Sequence, residues 1–184
     1  SEDYVLRHIK AEIEKFITGL FIPFRNSDGY LKNDEVGILI EGKARGLKKS
    51  SKKRAEAIAQ GVMYIKNEFL NKSEPLPDVL FICDVDICFL IFPNFLLKYT
   101  KKEYVNWSTS ASEVFIHNPK LVLEIESDPE NCPFIYNIDS KFDIKIIINK
   151  ILITKKNNGP INNNYIITLE NINNAFEYFD NLVI

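Results

Sequence analysis

The stretch Val36-Gly-Ile-Leu-Ile-Glu-Gly-Lys43 decides the fold of this chain. Its apolar first part predicts a buried strand, and Glu41 and Lys43 lie at the end of that strand. Side chains alternate across a strand, so residues two apart share one face. A carboxylate beside an ammonium on a rigid strand can bind a divalent cation and orient a water. The alternative is a solvated ion pair where a strand emerges into water.

Length and composition are those of a globular protein. The 184 residues suit one domain, with 46% hydrophobic and 26% charged residues and a net charge of −2. No global basic signature is present, so any contact with nucleic acid must be local. The apolar runs fall short of the roughly 18 residues that span a bilayer. Three cysteines without a CxxC pair argue against a disulfide framework or a zinc site. We expect a cytoplasmic protein with no membrane contact.

The pattern of apolar residues predicts helices and strands in alternation. A helix is expected over 3–20, then a turn-rich segment at 25–29 that opens a hairpin, a turn at 31–35 and a return strand over 36–43. A helix over 51–70 precedes two buried strands, 79–83 and 87–92. This order predicts an α/β fold, a mixed sheet flanked by helices.

The second half of the chain gives weaker signals. Residues 94–118 indicate a short helix and a loop, and 119–139, with three prolines, are expected to be irregular. Isoleucines in 143–154 fit a helix face but also a strand. A last helix is predicted over 168–180.

A shared cation requires a second carboxylate close to Glu41. Asp28 lies 13 positions upstream, on the other arm of the expected hairpin, where antiparallel pairing would return it towards Glu41. Asp34 lies seven positions upstream, on the order of 23 Å away on one continuous strand. We favour Asp28; Asp34 stays the alternative if the chain turns more tightly at 35–37. Asp28 could also be an ordinary residue of an Asp-Gly turn.

Two further groups could complete the site. Gln60 and Tyr64 are four residues apart on one helix face, and a buried amide and phenol would need hydrogen-bond partners such as the acidic and basic strand end. A solvent-facing pair is the alternative. The dense basic run follows Lys43, where cations would attract a phosphate backbone without sequence preference, unless it is a solvated loop. Its members are Lys48, Lys49, Lys52, Lys53 and Arg54.

The pattern Asp28…Glu41-x-Lys43…Gln60-x-x-x-Tyr64, in the order helix, hairpin, helix, resembles the PD-(D/E)XK nuclease superfamily, in particular its branch with a QxxxY helix. The segment from Asp78 to Phe92, with the sequence downstream, also resembles the amino-terminal region of bacterial restriction–modification or N6-adenine DNA methyltransferase polypeptides. Unlike members of the family, this chain has no Pro-Asp pair before the hairpin.

The resemblance implies a restriction-endonuclease-like core over 1–118, with a helical extension or linker over 119–184 that packs on this core. It implies a Mg²⁺- or Mn²⁺-dependent DNA endonuclease domain that acts on double-stranded DNA, as a homodimer where both strands are cut. Asp28 (or Asp34) and Glu41 would hold the metal, Lys43 would orient or activate water, and Gln60 and Tyr64 would organise the site. The alternative is a catalytically silent DNA- or protein-docking module of a larger DNA methyltransferase polypeptide, whose methyltransferase domain lies downstream.

Overall fold

The computed structural model describes residues 2–129 and 134–157, and within them six strands form one mixed sheet. The strands lie side by side in chain order. Only β3 and β4 run parallel, and every other neighbouring pair is antiparallel. The strands are β1 (Ile22–Phe24), β2 (Ser27–Lys32), β3 (Gly37–Gly42), β4 (Val79–Cys83), β5 (Ile87–Ile91) and β6 (Phe134–Asn137).

Helices cover both faces of the sheet, which confirms the expected α/β class. Alternation along β3 explains the three layers, because Ile38 and Ile40 face one helical layer and Leu39 faces the other. The first layer holds α1 (Glu2–Phe16) and α5 (Ile144–Lys156). The second holds α2 (Ser51–Tyr64), α3 (Val114–His117) and α4 (Pro119–Ser127).

Helix α2 makes the crossover that allows β3 and β4 to run parallel. It begins where the Ser50 hydroxyl accepts a hydrogen bond from the Lys53 amide at 3.1 Å. Past Tyr64 the chain stays helical but changes type, with a π-helical turn over Ile65–Phe69 and a 3₁₀ turn over Leu70–Lys72. The helical path predicted over 51–70 is therefore confirmed, although only its first part is α-helix.

The described residues of this range, 119–129 and 134–139, are mostly in a helix and a strand, so the prediction that they are irregular is wrong. Pro119 occupies the first turn of α4, where a missing amide hydrogen costs nothing, and β6 pairs with β5. Residues 144–154 are helical, within α5, and Asp143 is the residue that caps it. The segment 94–118 consists of short 3₁₀ turns, loops and α3.

The described part of 119–184 belongs to the same core as the residues before it. Leu121 and Ile125 of α4 are buried in the cluster around α2, and Ile147 of α5 is buried in the cluster around α1. Position 118 therefore marks no break between two cores within the described residues. The helix predicted over 168–180 lies outside these residues.

Candidate functional site

Asp28 lies beside Glu41 on neighbouring strands. Gly29 pairs with Ile40, so the next position of the antiparallel register brings Asp28 opposite Glu41. Asp28 Oδ2 also accepts a hydrogen bond from the Gly42 amide at 2.8 Å. The turn before it is shorter than the sequence indicated, because β2 already begins at Ser27. Asp28 is thus a strand residue.

Asp34 is separated from Glu41 by the length of β3. It lies in the turn between β2 and β3, which is closed by a 3.0 Å hydrogen bond from the Asn33 amide to the Val36 carbonyl. Four residues from Gly37 to Glu41 span about 13 Å at the usual strand rise. The structure therefore brings Asp28, and not Asp34, next to Glu41.

Glu41, Lys43, Gln60 and Tyr64 form one hydrogen-bonded network. Lys43 Nζ lies 2.9 Å from Glu41 Oε1 and also donates to Gln60 Oε1. Gln60 Nε2 donates to Glu41 Oε1 at 2.7 Å and to the Tyr64 hydroxyl at 2.8 Å. The Tyr64 hydroxyl is 3.2 Å from Glu41 Oε2. Gln60 and Tyr64 are both buried, so the helix face that carries them is turned towards the sheet.

Backbone contacts fix this network at both ends. The Lys43 amide donates to the Cys83 carbonyl at 2.8 Å, which ties the residue after β3 to the end of β4. The Tyr64 hydroxyl is 2.9 Å from the Asn26 carbonyl in the β1–β2 turn. That turn includes Arg25 in the left-handed region, with φ of 53°, and its guanidinium pairs with Glu68 at 3.2 Å. The network therefore joins α2 to the β1–β2 turn and to the ends of β3 and β4.

Burial dominates the electrostatics of the site. The Glu41 side chain is only 13% exposed, and loss of hydration raises its pKa. The ion pair with Lys43 lowers the pKa of Glu41 in part, and the nearby charge of Asp28 raises it. Burial also raises the pKa of Tyr64, with the Glu41 charge adding to the effect. Tyr64 is therefore a neutral hydrogen-bonding group.

The donor chemistry of Asp28 and Glu41 fits a hard divalent cation. Mg²⁺ is commonly held by one or two carboxylates, with water and substrate phosphate filling the other positions. Residues 2–129 and 134–157 contain no group of three or more histidine, cysteine or acidic side chains suited to a metal. An all-protein cage is thus absent from this part of the chain, whereas a two-carboxylate site open to solvent is compatible with it.

No protein-family model, curated protein or solved structure matches the chain. The interpretation of the site therefore depends on its own residues and geometry. In the described part of the chain, no helix combines the length and apolar character needed to cross a membrane.

The basic run divides into exposed cations and cations held by the fold. Lys48, Lys49 and Lys52 are exposed and make no ion pair with any described residue. Arg54 instead donates to the Leu47 carbonyl at 2.6 Å, and Lys53 Nζ is 3.4 Å from the Arg45 carbonyl. Three of the five predicted DNA-binding residues are therefore unengaged, while Arg54 and Lys53 also organise the loop before α2.

Asp84 is a buried carboxylate in the short segment between the two strands predicted over 79–83 and 87–92. Its Oδ2 accepts from the Gly46 amide at 3.0 Å and the Leu47 amide at 2.9 Å. Its Oδ1 accepts from the Asp86 and Ile87 amides at 2.8 and 3.0 Å. Asp84 is 1% exposed and binds the loop between β3 and α2 to the β4–β5 turn. The sequence pattern that could have indicated its role is an acidic residue directly after a buried strand.

Proposed function

We propose that this chain is a metal-dependent deoxyribonuclease domain of the PD-(D/E)XK kind. The observation that carries the proposal is that Asp28, Glu41, Lys43, Gln60 and Tyr64, drawn from two strands and one helix, converge at one end of the sheet. Four of the five share one hydrogen-bonded network, and Asp28 lies opposite Glu41 on the neighbouring strand.

The residues divide the chemistry between them. Asp28 and Glu41 would hold Mg²⁺ or Mn²⁺, which when bound supplies Lewis-acid stabilisation for hydrolysis of a phosphodiester. Lys43 donates hydrogen bonds to the attacking water or to the phosphate oxygens, as a cation aimed at developing negative charge. Gln60 accepts a hydrogen bond from Lys43 and donates one to Glu41, so it fixes the positions of both side chains. Tyr64 holds Gln60 in turn.

Duplex DNA is the proposed substrate, because exposed cations lie close to the site. Lys48 and Lys49 are in the loop between Lys43 and α2, and Lys52 is in the first turn of α2. Such cations bind phosphates without sequence preference and with strong dependence on salt. We further propose that the domain serves a restriction–modification polypeptide in the cytoplasm and pairs with a second copy to cut both strands.

A silent docking module is the second candidate. The observation that favours it is the saturation of Glu41, whose carboxylate already lies within hydrogen-bond distance of Lys43, Gln60 and Tyr64. A cation would have to compete with Lys43 for Oε1. In this alternative the five residues stabilise the fold, and the basic run alone contacts DNA.

Cleavage of duplex DNA by the purified protein tests the proposal. We expect nicking or cutting with Mg²⁺ or Mn²⁺, and a loss of at least about a hundredfold in rate in Lys43→Ala, because its cation would no longer face the developing charge. Lys32→Ala, an exposed lysine at the opposite end of β2, is the control and should keep full activity. Circular dichroism checks that both variants fold.

DNA binding without cutting under either metal would favour the docking module over the nuclease. Absence of both binding and cutting would contradict the nuclease and the DNA-docking module alike. Cutting that persists in Lys43→Ala would exclude the role given to Lys43.

A further inference from the structure

A cavity of about 250 Å³ opens directly beside the candidate site. It lies between the loop after β3, helix α2 and helix α3. Lys43 and Gln60 form one wall, so the cavity shares two residues with the network described above. Leu47, Val114 and Phe115 supply apolar surface on other sides. A group bound in it would therefore lie next to the proposed reaction centre.

Glu56 provides an acceptor without a partner in this cavity. It lies one helical turn before Gln60 and also lines the cavity. Glu56 is partly buried and makes no hydrogen bond or ion pair with any described residue. A partly buried carboxylate against apolar walls gains from a ligand that donates hydrogen bonds.

Phe115 offers an aromatic face at the same place. Its side chain is 46% exposed, although the preceding residue, Val114, is 1% exposed and anchors α3. An exposed ring beside a small cavity suits a planar, apolar-faced partner, since bases stack on aromatic side chains. The volume falls below the roughly 300–1,000 Å³ typical of drug-sized ligands, so it suits a single ring system better than a larger molecule.

We propose that this cavity binds one unpaired nucleobase with an exocyclic amine, from the DNA strand whose phosphate lies at Lys43. The inference rests on the proposed function. Phe115 stacks on the base, Glu56 accepts from its amine, and the Lys43 and Lys53 cations face the adjacent phosphate. Thymine is disfavoured, because it presents the O4 acceptor where cytosine presents an N4 donor. The substrate would then be DNA with an unpaired or displaced base beside the cut.

Binding of oligo-dC and oligo-dT of equal length tests the assignment, because the two pyrimidines match in size. In chelator, where no metal supports cutting, fluorescence anisotropy with labelled oligonucleotides should show about tenfold tighter binding of oligo-dC. Glu56→Gln should erase this difference, since an amide accepts from cytosine and donates to thymine alike. Phe115→Ala should weaken both affinities about tenfold.

Two matched controls isolate the cavity. Ile116→Ala removes the neighbouring exposed apolar side chain, and Glu103→Gln makes the same charge change on an exposed residue outside the cavity. Both should bind as the wild type does. Equal wild-type affinity for the two oligonucleotides, no binding of either, or a preference that survives in Glu56→Gln would overturn the inference.

The outcomes separate this inference from the proposed function. A preference for oligo-dC that depends on Glu56, without cleavage of any DNA under Mg²⁺ or Mn²⁺, would support the base cavity and contradict the nuclease. Metal-dependent cleavage without any base preference would support the nuclease and overturn the cavity assignment.

Discussion

Glu41 is a carboxylate that the fold buries with incomplete compensation. Desolvation outweighs the attraction of Lys43, so the pKa of Glu41 lies above its ordinary value of 4.5. A metal-binding carboxylate must be ionised, whereas burial makes the ionised form of Glu41 less favourable than it is in the unfolded chain. Stability and the proposed function therefore oppose each other at this residue, which is common where a site has been selected for chemistry.

Glu41→Gln should change how stability depends on pH. The raised pKa means that the folded state holds its proton more tightly than the unfolded state, so wild-type stability falls as pH rises from about 4.5 through the raised pKa. The variant lacks this loss. Its free energy of unfolding relative to wild type should therefore increase between about pH 4 and about pH 8, measured by urea denaturation in chelator.

The control is Glu35→Gln, the same replacement on an exposed side chain in the β2–β3 turn. A Glu41→Gln variant that is less stable than wild type by the same amount at every pH would contradict the prediction. That result would mean that the attraction of Lys43 and the cost of burial cancel in the pKa of Glu41.

Residue spacing identified some members of the site and could not identify others. Gln60 and Tyr64 follow from helical periodicity, and Glu41 and Lys43 from strand alternation. The choice between Asp28 and Asp34 depends on strand register, and the closure of the 33–36 turn decides that register. The hydrogen bonds from the Gly46 and Leu47 amides to Asp84 join distant segments, and residue spacing does not predict them.

At the scale of elements, α2 begins with charges that oppose its dipole. Its first turn has no acidic residue and carries Lys52 and Lys53, although the amino end of a helix favours negative charge. The Ser50 cap offsets part of this cost. Placing cations here makes sense if they are needed for binding a phosphate backbone, as the proposed function requires.

Lys52→Glu should stabilise the protein and weaken its binding to DNA. Lys52 is exposed, and a negative charge in the first turn of α2 should add roughly 0.3–1 kcal/mol to the free energy of unfolding at low salt. Loss of one phosphate contact should also reduce the slope of log affinity against log salt concentration by about one unit. Thermal denaturation and salt titrations of duplex binding measure the two effects.

Lys145→Glu is the matched control for DNA binding. Lys145 occupies the same position of α5 as Lys52 does of α2, and it lies on the opposite face of the sheet. Its reversal should leave affinity for DNA nearly unchanged. Equal loss of affinity in both variants would show that binding depends on net charge and not on the basic run.

Elements with strong periodicity were predictable, and elements set by tertiary context were not. Strand β3, helix α2 and the strands over 79–92 each carry long apolar patterns. Helix α4 begins at Pro119. A proline in a sequence usually indicates a loop, but it is also favourable at the first position of a helix. Strand β6 has four residues that alternate between half-buried and exposed, and its pairing with β5 defines it more than its composition does.

At the scale of the whole molecule, residues after 118 complete both faces of the sheet. Seven apolar side chains in α4 and α5 are at most 4% exposed: Leu121, Val122, Ile125, Ile144, Ile147, Ile148 and Ile151. Burial of one such side chain contributes about 1.5–3 kcal/mol, so the set contributes roughly 10–20 kcal/mol as an upper estimate. A domain of this size has a net stability of only about 5–15 kcal/mol.

A fragment of residues 1–118 should therefore fail to fold cooperatively, because it leaves the sheet partly uncovered on both faces and removes β6. Near-ultraviolet circular dichroism and urea denaturation should show no tertiary signal and no single transition for the fragment, whereas the full chain should show both. Leu121→Ala and Ile147→Ala in the full chain provide graded controls, each with an expected loss of about 2–5 kcal/mol. A fragment that unfolds in one sharp transition and keeps a near-ultraviolet signal would contradict this, and would mean that the first 118 residues hold a sufficient core of their own.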